Sequence, residues 1–261
     1  MRVLLVCPIP LEFVCCRSAL GLRDAAPVLG CKAARGSVAN VDVMVIESGP
    51  AKVRAASAAV GGIGAFQPDV VLDTGTCGAL DGELIVGGLV LATSCIEYDI
   101  AGDGLPSRVL PVMKLSSLFG FLPQRERERL VRGLTSLAMD AGLHLRPGVQ
   151  ACGEFLIQSE ETRESLRELT GAIACNWESA AIFVAALRSR LPPLSLRVVT
   201  DLGDENTLRD LKRNARRHLQ ELFRFVRHGL EAGWFVDLYS EWRSLPASTV
   251  DRLPKSVLNG A

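Results

Sequence analysis

The sequence predicts an α/β protein in which helices cover both faces of a central, mainly parallel or mixed sheet. Short runs rich in Val, Leu and Ile alternate along the chain with longer helical patterns. Several of these short runs are apolar on both faces, which indicates strands that are covered on both sides. Hydrophobic residues make up 48% of the 261 residues, enough for one sizeable core. Strands that alternate with helices around such a core are typical of a layered α/β sandwich.

The strands and helices follow in order from this pattern. The predicted strands are 2–7, 41–47, 69–74, 86–95, 147–152, 171–175 and 194–200. The predicted helices are 11–22, 51–66, 123–142, 160–169, 178–189 and 207–232. We expect residues 1–232 to form a single domain and residues 233–261 to form a C-terminal extension of unknown role. Segment 101–122 has no clear period, and long connections of this kind often form lids or subunit contacts.

The composition excludes several classes of protein. Lys and Arg number 29, as do Asp and Glu, so the formal net charge is zero and no nucleic-acid partner is predicted. The apolar start is broken by Pro8 and Pro10 and is too short to span a membrane, so we expect no membrane association. The eight cysteines form no CxxC pair and no zinc-like spacing. We therefore expect reduced core thiols, a cytoplasmic protein, and neither a metal nor a cofactor.

Polar residues at the ends of predicted strands mark the candidate site, because ligands of open α/β sheets bind at the carboxyl ends of strands. Each position taken alone also has a structural explanation. Glu12 and Glu178 open helices, where an acid complements the helix dipole. The turn SGPAK (48–52) resembles a helix cap, and DTGTCGALDG (73–82) has neither a third dinucleotide-type glycine nor a P-loop lysine.

The stretch LRVVTDLGDE (196–205) is the least easily explained of these strand ends. Arg197 lies inside an otherwise apolar strand and therefore needs a partner, and Asp201 stands where desolvation penalises its charged form. Taken together, the strand ends would place three carboxylates, a hydroxyl and a guanidinium around one crevice. These residues are Glu12, Thr76, Glu178, Arg197 and Asp201.

Over residues 1–232 the chain resembles the methylthioadenosine/S-adenosylhomocysteine nucleosidase branch of the purine nucleoside phosphorylase superfamily. The resemblance rests on six ordered segments: LLVCPIPLEF, SGPAKVRAASA, PDVVLDTGTCGALDGELIVGGLVLAT, CGEFLI, AIACNWESAAI and LRVVTDLGDE. It implies a three-layer sandwich whose central mixed sheet is partly barrel-like. It also implies hydrolysis of the N-ribosidic bond of a 5′-modified purine nucleoside, without a cofactor, by a homodimer.

The resemblance assigns a role to each matching residue. Asp201 would be the general acid that protonates the purine at N7, and Glu12 would activate the attacking water. Arg197 and Thr76 would organise that water, while Glu178 would hold the ribose hydroxyls. A raised pKa suits such an acid, and partial burial is one way to raise it. The other implied substrate contacts are Gly78, Phe155, Leu156, Ile157 and Trp177.

Two alternatives remain beside hydrolysis. The same superfamily carries out phosphorolysis, but Asp73 stands where its hexameric phosphorylases carry an arginine, and we expect an aspartate there to repel phosphate. A catalytically silent nucleoside-binding protein is the other alternative, and the joint presence of Glu12, Glu178 and Asp201 argues against it. We favour water as the nucleophile.

Departures from the family pattern leave the substrate open. Trp177 replaces the methionine before the ribose glutamate, and Leu156 replaces an aromatic residue at the base wall. The substrate is therefore methylthioadenosine, S-adenosylhomocysteine, a futalosine-type nucleoside or another 5′-modified purine nucleoside. By resemblance, segment 101–122 helps to form the pocket for the 5′ substituent across a dimer interface, with Leu118, Phe119 and Phe121 as apolar candidates.

Overall fold

The structure, a computed structural model, describes residues 1–99 and 114–246. Its strands are β1 (Arg2–Cys7), β2 (Arg23–Val28), β3 (Cys31–Val38), β4 (Val41–Glu47), β5 (Val70–Ala79), β6 (Leu89–Glu97), β7 (Lys114–Ser116), β8 (Leu145–Cys152), β9 (Ala174–Asn176) and β10 (Pro193–Asp201). Its helices are α1 (Pro10–Leu20), α2 (Lys52–Phe66), α3 (Leu118–Phe121), α4 (Gln124–Asp140), α5 (Glu160–Thr170), α6 (Ser179–Arg188), α7 (Thr207–Glu231) and α8 (Trp234–Ser244).

The central sheet is mixed and closes on itself. Its order is β10-β6-β8-β9-β5-β1-β4-β3-β2, and an additional pairing of β10 with β5 joins five of these strands into a barrel. Strands β1, β4, β5 and β10 are parallel to their neighbours within that group. Strands β6, β8 and β9 run the opposite way, since β6 is antiparallel to β10 and β9 is antiparallel to β5. The prediction of a mixed, partly barrel-like sheet flanked by helices is confirmed.

Helices cover the sheet on both faces, as the doubly apolar strands predicted. On one face α1, α4, α7 and α8 pack against alternate residues of the sheet, with Leu219, Phe223 and Trp234 in this larger core cluster. On the other face α2 and α6 pack through small residues such as Ala55, Ala59 and Ala186. Because alternate side chains of a strand point to opposite faces, strands such as β1 contribute to both cores.

Most predicted elements occur within a few residues of their expected bounds, and β1 and β4 match them. Strands β2 and β3, which form a hairpin at the sheet edge, were not predicted from the sequence. The reason is that β2 is mostly exposed and contains Pro27, so it lacks the apolar character used to recognise strands. Helix α8 was not predicted either, and it carries Trp234, Phe235, Leu238 and Trp242 into the core.

The connection at 101–122 is only partly described, because residues 100–113 lie outside the described ranges. Leu118 and Phe119 are fully buried in the core, and Phe119 lies beside Trp234 with ring centroids 6.4 Å apart. Phe121 packs edge-on against Trp242. The suggestion that these three side chains line a substrate pocket was therefore wrong, since Leu118 lies in the core and Phe119 and Phe121 pack against α8.

In the two described ranges, every helix is either too short or too polar to cross a bilayer.

Candidate active site

One cavity collects all ten residues that sequence analysis singled out. It lies where β5, β9 and β10 meet the loops after β1 and β8. Two contributions to the cavity do not follow from parallel strand ends alone. Arg197 projects from the middle of β10, and the short β9 ends beside the second half of β5, to which it is antiparallel. These ten candidates are Glu12, Thr76, Gly78, Phe155, Leu156, Ile157, Trp177, Glu178, Arg197 and Asp201.

Asp201 is the last residue of β10 and is 6% exposed. Its carboxylate accepts hydrogen bonds from the Thr200 hydroxyl at 3.0 Å and from the Gly203 amide at 3.3 Å. Burial raises its pKa to about 6, although these donors and the Thr207 hydroxyl lower it. A carboxyl that titrates near neutrality can donate a proton to a leaving group and can be reprotonated.

The backbone of β5 closes directly against Asp201 at Gly78. A Cβ atom at this position would lie 2.9 Å from the Oδ1 atom of Asp201. Any side chain at this position would therefore displace the acid, which accounts for a glycine at the point where the two strands meet.

Glu12 stands in the first turn of α1, where it serves both the helix and the cavity. Its Oε2 atom accepts a hydrogen bond from the Ile9 amide at 2.9 Å, so the predicted interaction with the helix N-terminus is present. Its Oε1 atom accepts hydrogen bonds from the amide and hydroxyl of Thr76, at 2.8 and 3.0 Å. Burial raises the pKa of Glu12 to about 7, against the opposing effects of Arg197 and the two amides. At neutral pH this carboxyl is therefore able to accept a proton.

Arg197 is almost completely buried, and its charge is met by carboxylates. Its Nε and Nη2 atoms donate to Asp73 at 2.9 and 2.5 Å, and Nη2 also lies 3.3 Å from Glu178. Its Nη1 atom donates to the carbonyl of Thr76 at 2.8 Å. Burial lowers the pKa of Arg197, but Asp73, Glu178 and Glu12 together outweigh burial and hold this pKa above its ordinary value. The guanidinium is thus a permanent cation held in one orientation.

Glu178 precedes α6 and is buried at the edge of the cavity. Besides its contact with Arg197, it accepts a hydrogen bond from the Ala51 amide at 3.1 Å, which ties it to the SGPAK turn. Burial raises its pKa, while Arg197 lowers it. The Asn176 side chain caps α6 by accepting hydrogen bonds from the amides of Glu178 and Ser179, at 3.0 and 2.9 Å. This cap sets the position from which Glu178 projects.

The loop after β8 forms a wall of the cavity with Phe155, Leu156 and Ile157. Ile157 is buried, whereas Phe155 is 61% exposed at the rim. The neighbouring Glu154 accepts a hydrogen bond from the Lys52 amide at 2.6 Å, and the Lys52 ammonium binds Glu97 and Asp99, each at 2.6 Å. The loop is therefore anchored to the start of α2. The amides of SGPAK that were considered for anion binding are in part occupied by Glu154 and Glu178.

A buried polar network that was not predicted from the sequence lies behind Arg197. The Ser179 and Ser195 hydroxyls lie 2.5 and 2.7 Å from the Oδ2 atom of Asp73, and both also contact Gln150. A carboxylate inside the apolar run VVLDTG and a cap residue two positions before Glu178 were the available signals. The predicted position of Asp73 against a bound anion was wrong: its side chain is fully buried, does not line the cavity and instead binds Arg197.

The arrangement can perform acid–base chemistry. Two carboxyls with pKa values near neutrality, Glu12 and Asp201, line the same cavity as a fixed cation. Among the residues that the structure describes, no three His, Cys, Asp or Glu side chains are grouped as metal ligands.

Two nucleosidases and a futalosine hydrolase are among the known proteins to which this chain is similar. The 5′-methylthioadenosine/S-adenosylhomocysteine nucleosidase of Haemophilus ducreyi is 27% identical over 181 residues, covering 68% of this chain and 75% of that protein. The aminodeoxyfutalosine nucleosidase of Campylobacter jejuni is 28% identical over 171 residues, covering 64% and 70%. The native structure of the futalosine hydrolase of Helicobacter pylori shares the fold, with a TM-score of 0.76 and 20% identity over 89% of this chain and 98% of that one. The family model of the phosphorylase superfamily matches residues 3–231, and the chain therefore belongs to the phosphorylase superfamily.

Proposed function

We propose that this protein is an N-glycosidase that hydrolyses the N-ribosidic bond of a 5′-modified purine nucleoside and releases the free base. The observation that carries the proposal is the presence of Glu12 and Asp201 in one cavity, each with a pKa raised to within about one unit of neutrality. Two nucleosidases among its relatives support the reaction class.

The chemistry requires an acid for the leaving group and a base for the nucleophile. A purine is a poor leaving group until it is protonated, and Asp201 would donate that proton to N7. Cleavage leaves an oxocarbenium-like sugar, which a water activated by Glu12 would attack. The general pattern of glycoside hydrolysis, with one carboxyl as acid and another handling the nucleophile, fits this pair. Glu178 would bind the ribose hydroxyls, since a carboxylate accepts two hydrogen bonds.

The charges of the cavity favour water over phosphate as the nucleophile. A phosphate site needs cationic or amide donors that are free to bind the anion. Arg197 is the cationic side chain that lines the cavity within the described ranges, and it already binds Asp73, Glu178 and the Thr76 carbonyl. Glu12 and Glu178 would also repel a phosphate at this position.

The identity of the substrate and of the nucleophile is tested by measuring the release of free purine from a panel of nucleosides, each with and without phosphate. The panel contains methylthioadenosine, S-adenosylhomocysteine, futalosine and adenosine. We expect base release without phosphate and, as the sugar product, the free ribose that still carries the 5′ substituent of the substrate. The corresponding ribose 1-phosphate as the main sugar product would show phosphorolysis instead. Binding of a nucleoside without base release under either condition would indicate the catalytically silent alternative.

The variant Asp201→Asn tests the assigned acid. General acid–base assistance is worth about 10²–10⁴-fold, so we expect base release to fall by that amount while nucleoside binding by calorimetry persists. Glu205→Gln, an exposed neighbour, is the matched control and should retain activity. Base release by the Asp201 variant at the wild-type rate would remove Asp201 from this role.

We further propose that the protein is a cytoplasmic homodimer. Support for the compartment comes from its eight cysteines, all of which are free thiols.

Support for a dimer comes from Val53 and Phe155, which are 78% and 61% exposed and adjoin the hydrogen-bonded pair Lys52 and Glu154 at the rim of the cavity. Light scattering coupled to size-exclusion chromatography would give the mass, and a value near 28 kDa would exclude the dimer.

A further inference from the structure

Tyr98, the residue after β6, packs against the loop that forms a wall of the cavity. It is 7% exposed. Its hydroxyl lies 3.2 Å from the carbonyl oxygen of Phe155 and 3.3 Å from that of Gly153. A tyrosine hydroxyl has one proton to donate, so the two carbonyls share it. Tyr98 therefore binds the backbone of the loop at two points, one on each side of Glu154.

The ring of Tyr98 also contacts this backbone directly. A Cβ atom at Gly153 would lie 2.6 Å from the Cζ atom of the ring, which is too close for any side chain. A glycine is thus required where the loop approaches the ring. The Gly153 amide donates to the carbonyl of Asn176 at 3.1 Å. The start of the loop is therefore held both by Tyr98 and by β9.

A second hydroxyl holds the other end of the wall. Thr207 donates to the carbonyl of Ile157 at 3.2 Å, and both residues are buried. Leu156, which lines the cavity, therefore lies between two residues whose carbonyls are each bound by a buried hydroxyl. The position of the wall depends on these two contacts.

The remaining polar contacts of the loop are more accessible to water. The Glu154 amide donates to Asp99 at 2.8 Å, and Asp99 also binds the Lys52 ammonium. The side chains of Lys52 and Asp99 are 21% and 23% exposed, so water competes for both charges. Burial raises the pKa of the Tyr98 hydroxyl well above its ordinary value, so this hydroxyl stays protonated and remains a donor.

We propose that Tyr98 is a positioning residue that holds this wall of the cavity in place for the purine base. Tyr98 acts through the loop, since Phe155, Leu156 and Ile157 line the cavity while Tyr98 stands behind them. The inference rests on the proposed function, which places the base against this wall. It predicts an effect on the affinity for the base and none on the carboxyls that transfer protons.

The test compares Tyr98→Phe, which removes the hydroxyl and keeps the ring, with the wild-type protein. Tyr239→Phe is the matched control, because Tyr239 is the other tyrosine of the chain and lies on α8, away from the cavity. Hydrogen exchange of the amides of residues 153–157, measured without ligand, reports the order of the loop. Calorimetric titration with adenine and with hypoxanthine reports the affinity for the base. Steady-state kinetics on the best nucleoside of the panel give KM and the pH profile of kcat.

In Tyr98→Phe the Gly153 and Glu154 amides should exchange about three- to tenfold faster, the factor that corresponds to the loss of one hydrogen bond. The Kd for the base and the KM for the nucleoside should rise by a similar factor. The pH limits of kcat should not move, because Glu12 and Asp201 keep their contacts. Tyr239→Phe should match wild type in every readout. A general loss of stability would leave the base affinity of the folded protein unchanged.

An unchanged affinity for the base in Tyr98→Phe would overturn the inference, even if hydrogen exchange in the loop becomes faster. If Tyr98→Phe does not fold, Asp99→Ala replaces it, because this variant frees the Glu154 amide of the same loop. An unchanged base affinity in Asp99→Ala would be equally decisive. Absence of base release by the wild-type protein would refute the proposed function, whereas titration with the free base needs no turnover and would still decide the role of Tyr98. The two failures are therefore distinguishable.

Discussion

Arg197 on β10 and Asp73 on β5 form a two-point ion pair in which both side chains are excluded from solvent. The Nε–Oδ2 and Nη2–Oδ1 distances are 2.9 and 2.5 Å, and the two side chains are 1% and 0% exposed. A guanidinium and a carboxylate matched in this way fix each other's orientation. Since Arg197 also contacts Thr76 and Glu178, the pair sets the geometry of the cavity from behind.

Replacement of Asp73 by Asn should destabilise the protein severely. The variant would leave Arg197 buried beside a neutral amide, and breaking a buried pair by removal of one partner costs about 3–5 kcal/mol. We expect the free energy of unfolding in urea to fall by that amount, with loss of base release. Asp24→Asn removes the partner of Arg17 at a site where Asp24 is 71% exposed, and its effect should stay below about 1 kcal/mol. Equal effects of the two variants would contradict a structural role for the buried pair.

The rate of base release should have a bell-shaped dependence on pH. Glu12, with a pKa of about 7, must be ionised to activate water, so kcat/KM falls on the acid side. Asp201, with a pKa of about 6, must be protonated to act as the acid, so kcat/KM falls on the alkaline side. The maximum should lie between pH 6 and 7. Because the acid has the lower pKa, only a minority of molecules have Asp201 protonated and Glu12 ionised at the same time. A profile that stays flat from pH 5 to 8.5 would exclude this pair of roles.

Glu12→Gln should make the folded protein more stable at alkaline pH. The pKa of Glu12 rises on folding from 4.5 to about 7, so the folded state holds the proton more tightly than the unfolded state. Wild-type stability therefore falls as the pH rises from about 4.5 to 7, by about 3 kcal/mol from this group. We expect Glu12→Gln to exceed wild type in chemical unfolding at pH 8 and to approach it at pH 5. The exposed control Glu205→Gln should show no such difference, and a Glu12→Gln curve parallel to wild type would refute the buried charge.

Trp177 should report ligand binding by fluorescence. Trp177 is partly exposed in the cavity, whereas Trp234 and Trp242 belong to α8 and are buried in the core. Addition of methylthioadenosine to Asp201→Asn, which prevents turnover, should change the emission of Trp177. The change should vanish in Trp177→Phe and persist in Trp242→Phe. An aromatic contact contributes about 0.5–1.5 kcal/mol, so Trp177→Ala should weaken binding by about two- to tenfold. Loss of the signal in Trp242→Phe alone would place the ligand elsewhere.

Much of the fold follows from local pattern, because apolar runs and helical periodicity report burial directly. The strands β1 and β4 are continuous apolar runs, and both were predicted with their observed bounds. The hairpin β2–β3 was not predicted, since an exposed edge strand has no such run. Helix α8 was not predicted because its apolar residues follow residue 232, where the last predicted helix ends. All ten candidate site residues reach one cavity, although their proposed roles in binding and catalysis await the experiments above.

By itself, the sequence determined which residue types stand at the turns and strands: acids before helices, an arginine in an apolar strand, and glycines where backbones approach. Only the tertiary structure decided how they are paired. Arg197 and Asp73 are 124 residues apart, and they meet because β10 pairs with β5 in a register that sets Leu196 opposite Thr74. Local pattern reports burial, whereas the partner of a buried polar group depends on barrel closure and strand register, which no local pattern contains.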